Sequence, residues 1–133
     1  MNFTCIKNDI LGKEYSLSFA FISAKKSREL NKTYRGKDKP TNILSFPLSK
    51  NEGEILICKE IAKRDAPKFG RTFSEFLGFL LIHGMLHLKG MKHSSRMEAA
   101  ENKYDKKYFY RNRRRILNDK SRGRRIFRGR KKS

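Results

Sequence analysis

Three histidines, the only ones in the chain, lie within eleven residues of one another: His83, His87 and His93. A spacing of four residues puts the imidazoles of His83 and His87 on one face of a helix, one turn apart. Gly90 can end that helix in a left-handed conformation, so that the chain reverses and brings His93 back towards the pair. Three imidazoles that face a common point are typical of a catalytic zinc site whose fourth position is left to water. The spacing therefore predicts one zinc ion per chain, bound by these three side chains.

The offsets of the three histidines equal those of the long metalloprotease signature H-E-x-x-H-x-x-G-x-x-H. Gly84 stands where that signature has its general-base glutamate, so peptide hydrolysis would lack its proton carrier. A bound zinc ion can still lower the pKa of water to about 7. The site therefore indicates metal chemistry and argues against a protease. The alternative of core histidines that only satisfy hydrogen bonds is disfavoured by the shared spacing.

A long apolar helix is predicted to position the histidines. Thr72 can cap a helix that begins at Phe73, with Glu75 at the offset of a capping box. The residues from Phe76 to Ile82 are apolar almost all round, which is typical of a helix buried on every side. We therefore expect the zinc site at the end of a buried central helix.

The remaining segments predict a mixed α/β (α+β) domain, in which a sheet of about four strands packs against helices. Alternation of apolar and small residues predicts a strand over residues 15–23, and short apolar runs predict the others. The four predicted strands cover residues 3–6, 15–23, 41–48 and 53–59. About four helices are predicted: at residues 24–34, at residues 59–65, from residue 73 onwards, and at residues 96–110. One core is expected, because 133 residues are about one domain long.

The positive charge of the chain is concentrated at its C-terminal end. Residues 111–133 hold 12 of the 33 basic residues and one acid, Asp119, within a formal net charge of +20. Such a run favours an arm that follows nucleic acid over a tail that is merely solvated, with an anionic membrane surface as the alternative. We therefore divide the chain into a domain at residues 1–110 and a basic C-terminal tail at residues 111–133.

Several protein classes are disfavoured by composition. No uncharged apolar stretch approaches the ~20 residues that a membrane span needs. The N-terminal residues show no basic segment followed by a long apolar one, so no secretory signal is predicted. The two cysteines, Cys5 and Cys58, make no disulfide framework, which favours a reducing compartment. We expect a cytoplasmic protein without a small-molecule cofactor.

Two long motifs and one short one resemble those of the YbeY endoribonuclease family. The segment His83–His93 resembles the signature H-G-x-L-H-L-x-G-Y-D-H. The segment Leu30–Pro47 matches the second hallmark of that family almost throughout, and Gly53–Cys58 resembles its G-D-I-x-I-s strand. The resemblance extends from about Phe19 to Glu101, with the motifs in the correct order.

This resemblance implies a zinc-dependent endoribonuclease that is specific for single-stranded RNA. Its role would be rRNA maturation, notably at the 3′ end of the 16S rRNA, and ribosome quality control, with rRNA and ribosomal subunits as partners. The three histidines would be the metal ligands, and Arg35 and His83 the catalytic residues, with Arg35 placed to bind phosphate. Either water or the 2′-hydroxyl of the RNA could attack phosphorus, and the sequence does not choose between them.

Two other functions fit the same residues. One is a non-catalytic ribosome-assembly factor, in which a structural zinc supports a basic surface that only binds rRNA. The other is a zinc hydrolase with a different substrate, anchored to RNA by its tail. An open coordination position speaks against the first, because structural zinc sites usually have four protein ligands.

The chain departs from the family pattern at four places. Met91 and Lys92 replace the usual Tyr-Asp, which removes a carboxylate beside the third histidine. Glu54 replaces an aspartate and is either the nearest candidate carboxylate for orienting a ligand or water, or a plain charge at the edge of a strand. The N-terminal section has room for a hairpin between the first two strands, but not for the helix that many members have there. The tail after Tyr110 matches nothing general in the family.

Overall fold

The computed structural model describes residues 3–109 of the chain. They form five α-helices and three β-strands, with a short 3-10 helix, Ala66–Phe69, between the third and fourth helices. The helices are α1 (Phe3–Leu11), α2 (Ala24–Arg35), α3 (Lys59–Asp65), α4 (Phe73–Leu88) and α5 (Ser95–Tyr108), and the strands are β1 (Ser16–Ile22), β2 (Ile43–Ser49) and β3 (Glu52–Cys58). No helix in this range is long and apolar enough to cross a membrane. The basic tail predicted for residues 111–133 lies outside the described residues.

The three strands form one sheet in the order β1-β3-β2. β1 is parallel to β3, and β2 is antiparallel to β3, with a shift in register between Pro47 and Ser49. The side chains of Ile55 and Ile57 are fully buried on the face that α4 covers. The mixed α/β class is therefore confirmed, while the predicted fourth strand is absent from the described residues.

The fourth strand was predicted at residues 3–6, where the structure has helix α1. Ile6 and Ile10 are four residues apart and both buried, so the apolar residues follow the period of a helix and not that of a strand. Four β-type residues were too short a segment to reveal this period. The expectation that the N-terminal section holds a hairpin and no helix is also wrong, since α1 packs directly against α4.

Helix α4 is the centre of the fold, as its apolar sequence predicts. The hydroxyl of Thr72 accepts a hydrogen bond from the backbone of Glu75, and the Glu75 carboxylate accepts one from the backbone of Thr72. This capping box starts the helix at Phe73. α4 packs against α1, α5, β2 and β3, so its side chains are buried on nearly every side.

Helix α2 packs against β3, and helix α5 packs against α4. Gly36, with φ of 70°, ends α2 one residue beyond the predicted end, because the left-handed conformation suits glycine. Ser94 caps α5 by accepting a hydrogen bond from the backbone of Met97. Arg71 and Asp105 form a buried, two-pronged ion pair that fixes α5 beside the start of α4.

Candidate metal centre

The structure brings together the three histidines that the sequence singled out. One ring nitrogen from each of His83, His87 and His93 lies within 4.8 Å of the other two. The Nε2 atoms of His83 and His87 are 3.1 Å apart, as expected for residues one helical turn apart on α4. His83 and His87 are partly buried and His93 is exposed, so the group opens to solvent on one side. Such a group could hold a metal ion.

A tight turn after α4 returns His93 to the other two histidines. Gly90 has φ of 100°, and its backbone N–H donates to the carbonyl of His87. The N–H of Met91 donates to the carbonyl of Leu86, which completes the hydrogen-bond pattern of a Schellman motif. The chain reversal predicted from Gly90 is therefore confirmed.

Glu101 orients His83. Its carboxylate oxygen Oε2 is hydrogen-bonded to Nδ1 of His83, and the residue is only 2% exposed. A carboxylate accepts the Nδ1 proton, so Nε2 of His83 is the nitrogen left for a metal. Glu101 lies on the buried face of α5, one turn after Met97. The carboxylate beside the histidines is therefore supplied by α5, and not by Glu54 as the sequence analysis suggested.

The backbone orients His87. Its Nδ1 lies 3.1 Å from the carbonyl oxygen of Met91. A carbonyl has no hydrogen to give, so Nδ1 of His87 donates and Nε2 is left for a metal. Any residue at position 91 supplies this carbonyl, and the methionine that replaces the usual tyrosine therefore keeps the contact.

Two of the imidazoles have lowered pKa values, which favour their neutral forms. Burial is the largest cause that lowers the pKa of His87, to about 4, followed by the charges of His83 and His93. Burial also lowers the pKa of His93, with smaller contributions from His83 and Arg35. Neutral rings keep the lone pair with which imidazole binds a metal.

Gly84 stands where the protease signature has glutamate, and packing explains why. A Cβ atom at this position would lie 2.9 Å from Cδ1 of Ile43, 2.9 Å from Oγ of Ser45 and 3.0 Å from Cδ1 of Ile55. Position 84 therefore faces the sheet and not the histidines. A glutamate there would be buried against strands β2 and β3, where no water or substrate could reach it.

Arg35, the second candidate catalytic residue, is the last residue of α2 and is exposed. Its positive charge contributes to the lowered pKa of His93. Charge at this place suits the binding of a phosphate that approaches the histidines.

A cavity of about 290 Å³ adjoins the histidines. Its lining residues are His83, His93, Ser94, Ser95, Met97, Glu98 and Glu101. Most of them come from the first two turns of α5, which therefore forms one wall of the site.

Glu101 is the residue of the candidate site that the sequence analysis missed. A signal was present: the buried face of α5 carries the acidic residues Glu101 and Asp105 beside Met97 and Tyr104, and acids on an apolar face need a partner. Glu54 points away from the site. Its neighbour Ile55 contacts α4, and successive residues of a strand face opposite sides of the sheet.

Comparisons with known proteins agree with this fold. The sequence profile of the family described as "Endoribonuclease YbeY" matches residues 2–112. A relative from Staphylococcus carnosus with the same description is 35% identical over 71% of this chain and 70% of its own length. One from Staphylococcus aureus is 34% identical over the same shares.

A solved structure is also similar. The solution structure of TM1509 from Thermotoga maritima matches with a TM-score of 0.60 and 32% identity, over 86% of this chain and 83% of that one. The family resemblance in the sequence is therefore confirmed by profile and relatives. The chain belongs to the YbeY endoribonuclease family.

Proposed function

We propose that this protein is a zinc-dependent endoribonuclease that cuts single-stranded RNA. The observation that carries the proposal is the convergence of three imidazole nitrogens within 4.8 Å beside a cavity, in a member of an endoribonuclease family. Three protein ligands leave a coordination position for water or substrate, which is typical of catalytic sites.

The donor set fits zinc. Imidazole nitrogens bind zinc well, whereas magnesium and calcium prefer oxygen ligands. His83, His87 and His93 would hold one ion per chain. Glu101 and the Met91 carbonyl fix two of the rings with Nε2 towards the common point. This orientation of the rings supports the interpretation that the histidines bind a metal ion, and not that they only make hydrogen bonds with one another and their neighbours.

In the mechanism we infer, the zinc ion and Arg35 have different roles. When bound, zinc would activate the attacking oxygen and neutralise charge on the scissile phosphate. Arg35 would pair with the phosphoryl oxygens and stabilise the charge that develops on them. His83 would act as a ligand held rigid by Glu101. Attack by water and attack by the 2′-hydroxyl of the RNA both fit this arrangement.

We further propose that the substrate is rRNA, with the 3′ end of the 16S rRNA as the principal site and a second role in ribosome quality control. The family supports an rRNA-processing enzyme. The strongly basic residues 111–133 beyond the domain at residues 1–110 support contact with RNA and ribosomal subunits. A cytoplasmic location follows from that substrate.

Incubation of the zinc-loaded, full-length protein with an end-labelled single-stranded RNA and with the matching duplex tests the proposal. We expect cleavage of the single strand only, and we expect His87→Ala to lose both zinc and cleavage while it still binds RNA. RNA binding without cleavage by either protein would overturn the enzyme and support the assembly factor. Cleavage products that end in a 2′,3′-cyclic phosphate would assign the attack to the 2′-hydroxyl.

The ribosomal role has its own test. Small subunits that carry a 3′-extended 16S rRNA are incubated with the active protein and with His87→Ala. Trimming of the extension by the parent protein alone is expected. An active nuclease that leaves the extension intact would contradict the rRNA role without contradicting the nuclease.

A further inference from the structure

An exposed pair of aromatic rings lies between α2 and β2. Tyr34, in the last turn of α2, is 65% exposed, the largest exposed fraction among the large hydrophobic side chains of the described residues. Its ring meets that of Phe46 on β2 edge to face, with 5.1 Å between ring centroids. Phe46 is partly buried, so it supports the tyrosine from below. A supported ring with a free face is a surface on which another flat ring can stack.

The charges around Tyr34 favour an anionic ligand on the side of the loop that follows α2. Within the part of the chain that the structure describes, Arg35, Lys37 and Lys39 take part in no salt bridge. The acid in this loop, Asp38, is engaged by Arg28 and Lys32. The cations that follow Tyr34 are therefore available to phosphate groups.

A carboxylate lies beside Phe46 on the same face of the sheet. Glu54 lies across from Phe46 in the register of β2 and β3. A nucleic-acid backbone would be repelled there and attracted by the loop after α2. The charge pattern thus gives a direction to a bound strand: its phosphates lie towards Arg35, Lys37 and Lys39.

This surface lies next to Arg35, the residue proposed to bind the scissile phosphate. β2 is an edge strand of the sheet, and Phe46 lies on the face opposite to Ser45, which packs against Gly84 of α4. Arg35 directly follows Tyr34 at the end of α2, and its side chain is exposed. A strand of RNA with one phosphate at Arg35 therefore has a neighbouring nucleotide at Tyr34.

We infer that Tyr34, supported by Phe46, stacks on a base of single-stranded RNA next to the phosphate held at Arg35. This inference rests on the proposed function and adds a base-binding subsite to it. Stacking requires an unpaired base, because in a duplex the ring faces are covered by neighbouring base pairs. Since every base has a π face, the subsite accepts any nucleotide and selects single strands over duplexes.

The test compares three variants of the full-length protein: Tyr34→Ala, Tyr34→Phe and Phe21→Ala. Phe21 is the matched control, because it is an exposed aromatic on β1, at the other edge of the sheet. Binding of a labelled single-stranded 12-mer is measured at several salt concentrations. We expect Tyr34→Ala to weaken binding about tenfold. Tyr34→Phe, which keeps the ring, and Phe21→Ala should stay within about twofold of the parent.

Salt dependence separates stacking from charge. Tyr34→Ala should leave the slope of log affinity against log salt unchanged, whereas Lys37→Ala should lower it by about 0.7. Unchanged RNA affinity in Tyr34→Ala overturns the inference and assigns the aromatic pair to a protein contact. Loss in Tyr34→Phe equal to that in Tyr34→Ala overturns it too, since the hydroxyl would then make the contact. Binding needs no cleavage, so a parent protein that binds but does not cut would contradict only the proposed function.

Discussion

At the scale of single residues, the partner of each imidazole determines which nitrogen it presents. Nδ1 of His83 is hydrogen-bonded to a buried carboxylate, and Nδ1 of His87 to a backbone carbonyl. Both rings therefore present Nε2 to the common point. Only one of the two contacts can be removed by mutation. The Glu101 carboxylate is a side-chain group and can be replaced, whereas the Met91 carbonyl is a backbone group that every residue has.

The first prediction concerns Glu101. Glu101→Ala removes the acceptor for Nδ1 of His83, so the ring loses its fixed orientation, and zinc affinity should fall about 10- to 100-fold. Glu101→Gln keeps an amide oxygen that can accept the same proton, so the loss should be smaller. Competition with a calibrated chelator measures both affinities. Ser95→Ala, in the wall of the same cavity, is the control. Equal zinc affinity in Glu101→Ala and the parent would show that His83 needs no such partner.

The second prediction concerns Arg35. Arg35→Ala should reduce RNA cleavage by about 100- to 1,000-fold, because loss of one donor to a developing negative charge has effects of this size. Its side chain is exposed at the end of α2, so zinc content and the melting temperature should hardly change. Single-turnover cleavage at saturating protein, zinc analysis and thermal unfolding check the three parts. If Arg35→Ala cleaves RNA at the rate of the parent protein, Arg35 has no catalytic role and is only a surface charge.

At the scale of elements, the short distance between α4 and the sheet limits the size of the side chain at position 84. The helix lies so close to β2 and β3 that only glycine leaves the strands undisturbed. This contact fixes the distance between α4 and the two strands. The glycine of the H-G-x-L-H motif is thus explained by packing, and the absence of a protease base is its consequence.

The third prediction tests that contact. Gly84→Ala should lower the free energy of unfolding by about 1 kcal/mol, because crowding of 1–3 kcal/mol outweighs the gain of ~1 kcal/mol in helix propensity. Gly84→Glu should destabilise the protein far more, since a charge would be buried without a partner. Urea unfolding measures both, with Ser74→Ala, an exposed position of the same helix, as the control. A stable Gly84→Glu protein that hydrolyses peptides would refute the account.

At the scale of the whole molecule, charge is divided between the domain and residues 111–133. The family match ends at residue 112, close to the start of the basic run. The last described residue, Phe109, packs against Gly78 in the middle of α4, and α5 runs from there back to His93. The basic residues are therefore separate in the sequence from those of the candidate site, which lie between Arg35 and Glu101.

The fourth prediction follows from this separation. Truncation after Tyr110 should weaken binding to long single-stranded RNA and lower its salt slope by roughly 4, if half of the 12 basic residues contact phosphates. Turnover of a short oligonucleotide at saturating concentration should stay nearly the same, because none of the proposed catalytic residues is removed. Binding isotherms at several salt concentrations provide the measurement, with thermal unfolding as the check on the fold. An unchanged slope would mean that the segment does not contact RNA.

The sequence by itself determined the features that depend on neighbours in the chain. The histidines of α4, the turn at Gly90, the capping box at Thr72 and the end of α2 at Gly36 each involve residues at most ten apart. Their geometry follows from the helical period and from the left-handed preference of glycine, and the structure confirms all four.

Only the tertiary structure decided the features that depend on contacts between distant segments. Glu101 reaches His83 because α5 packs along α4, and residues 3–6 are helical because Ile6 and Ile10 together bury one face against α4. The space at Gly84 is likewise closed by β2 and β3, from distant parts of the chain. Such contacts are selected by the burial of whole surfaces, which no local spacing encodes.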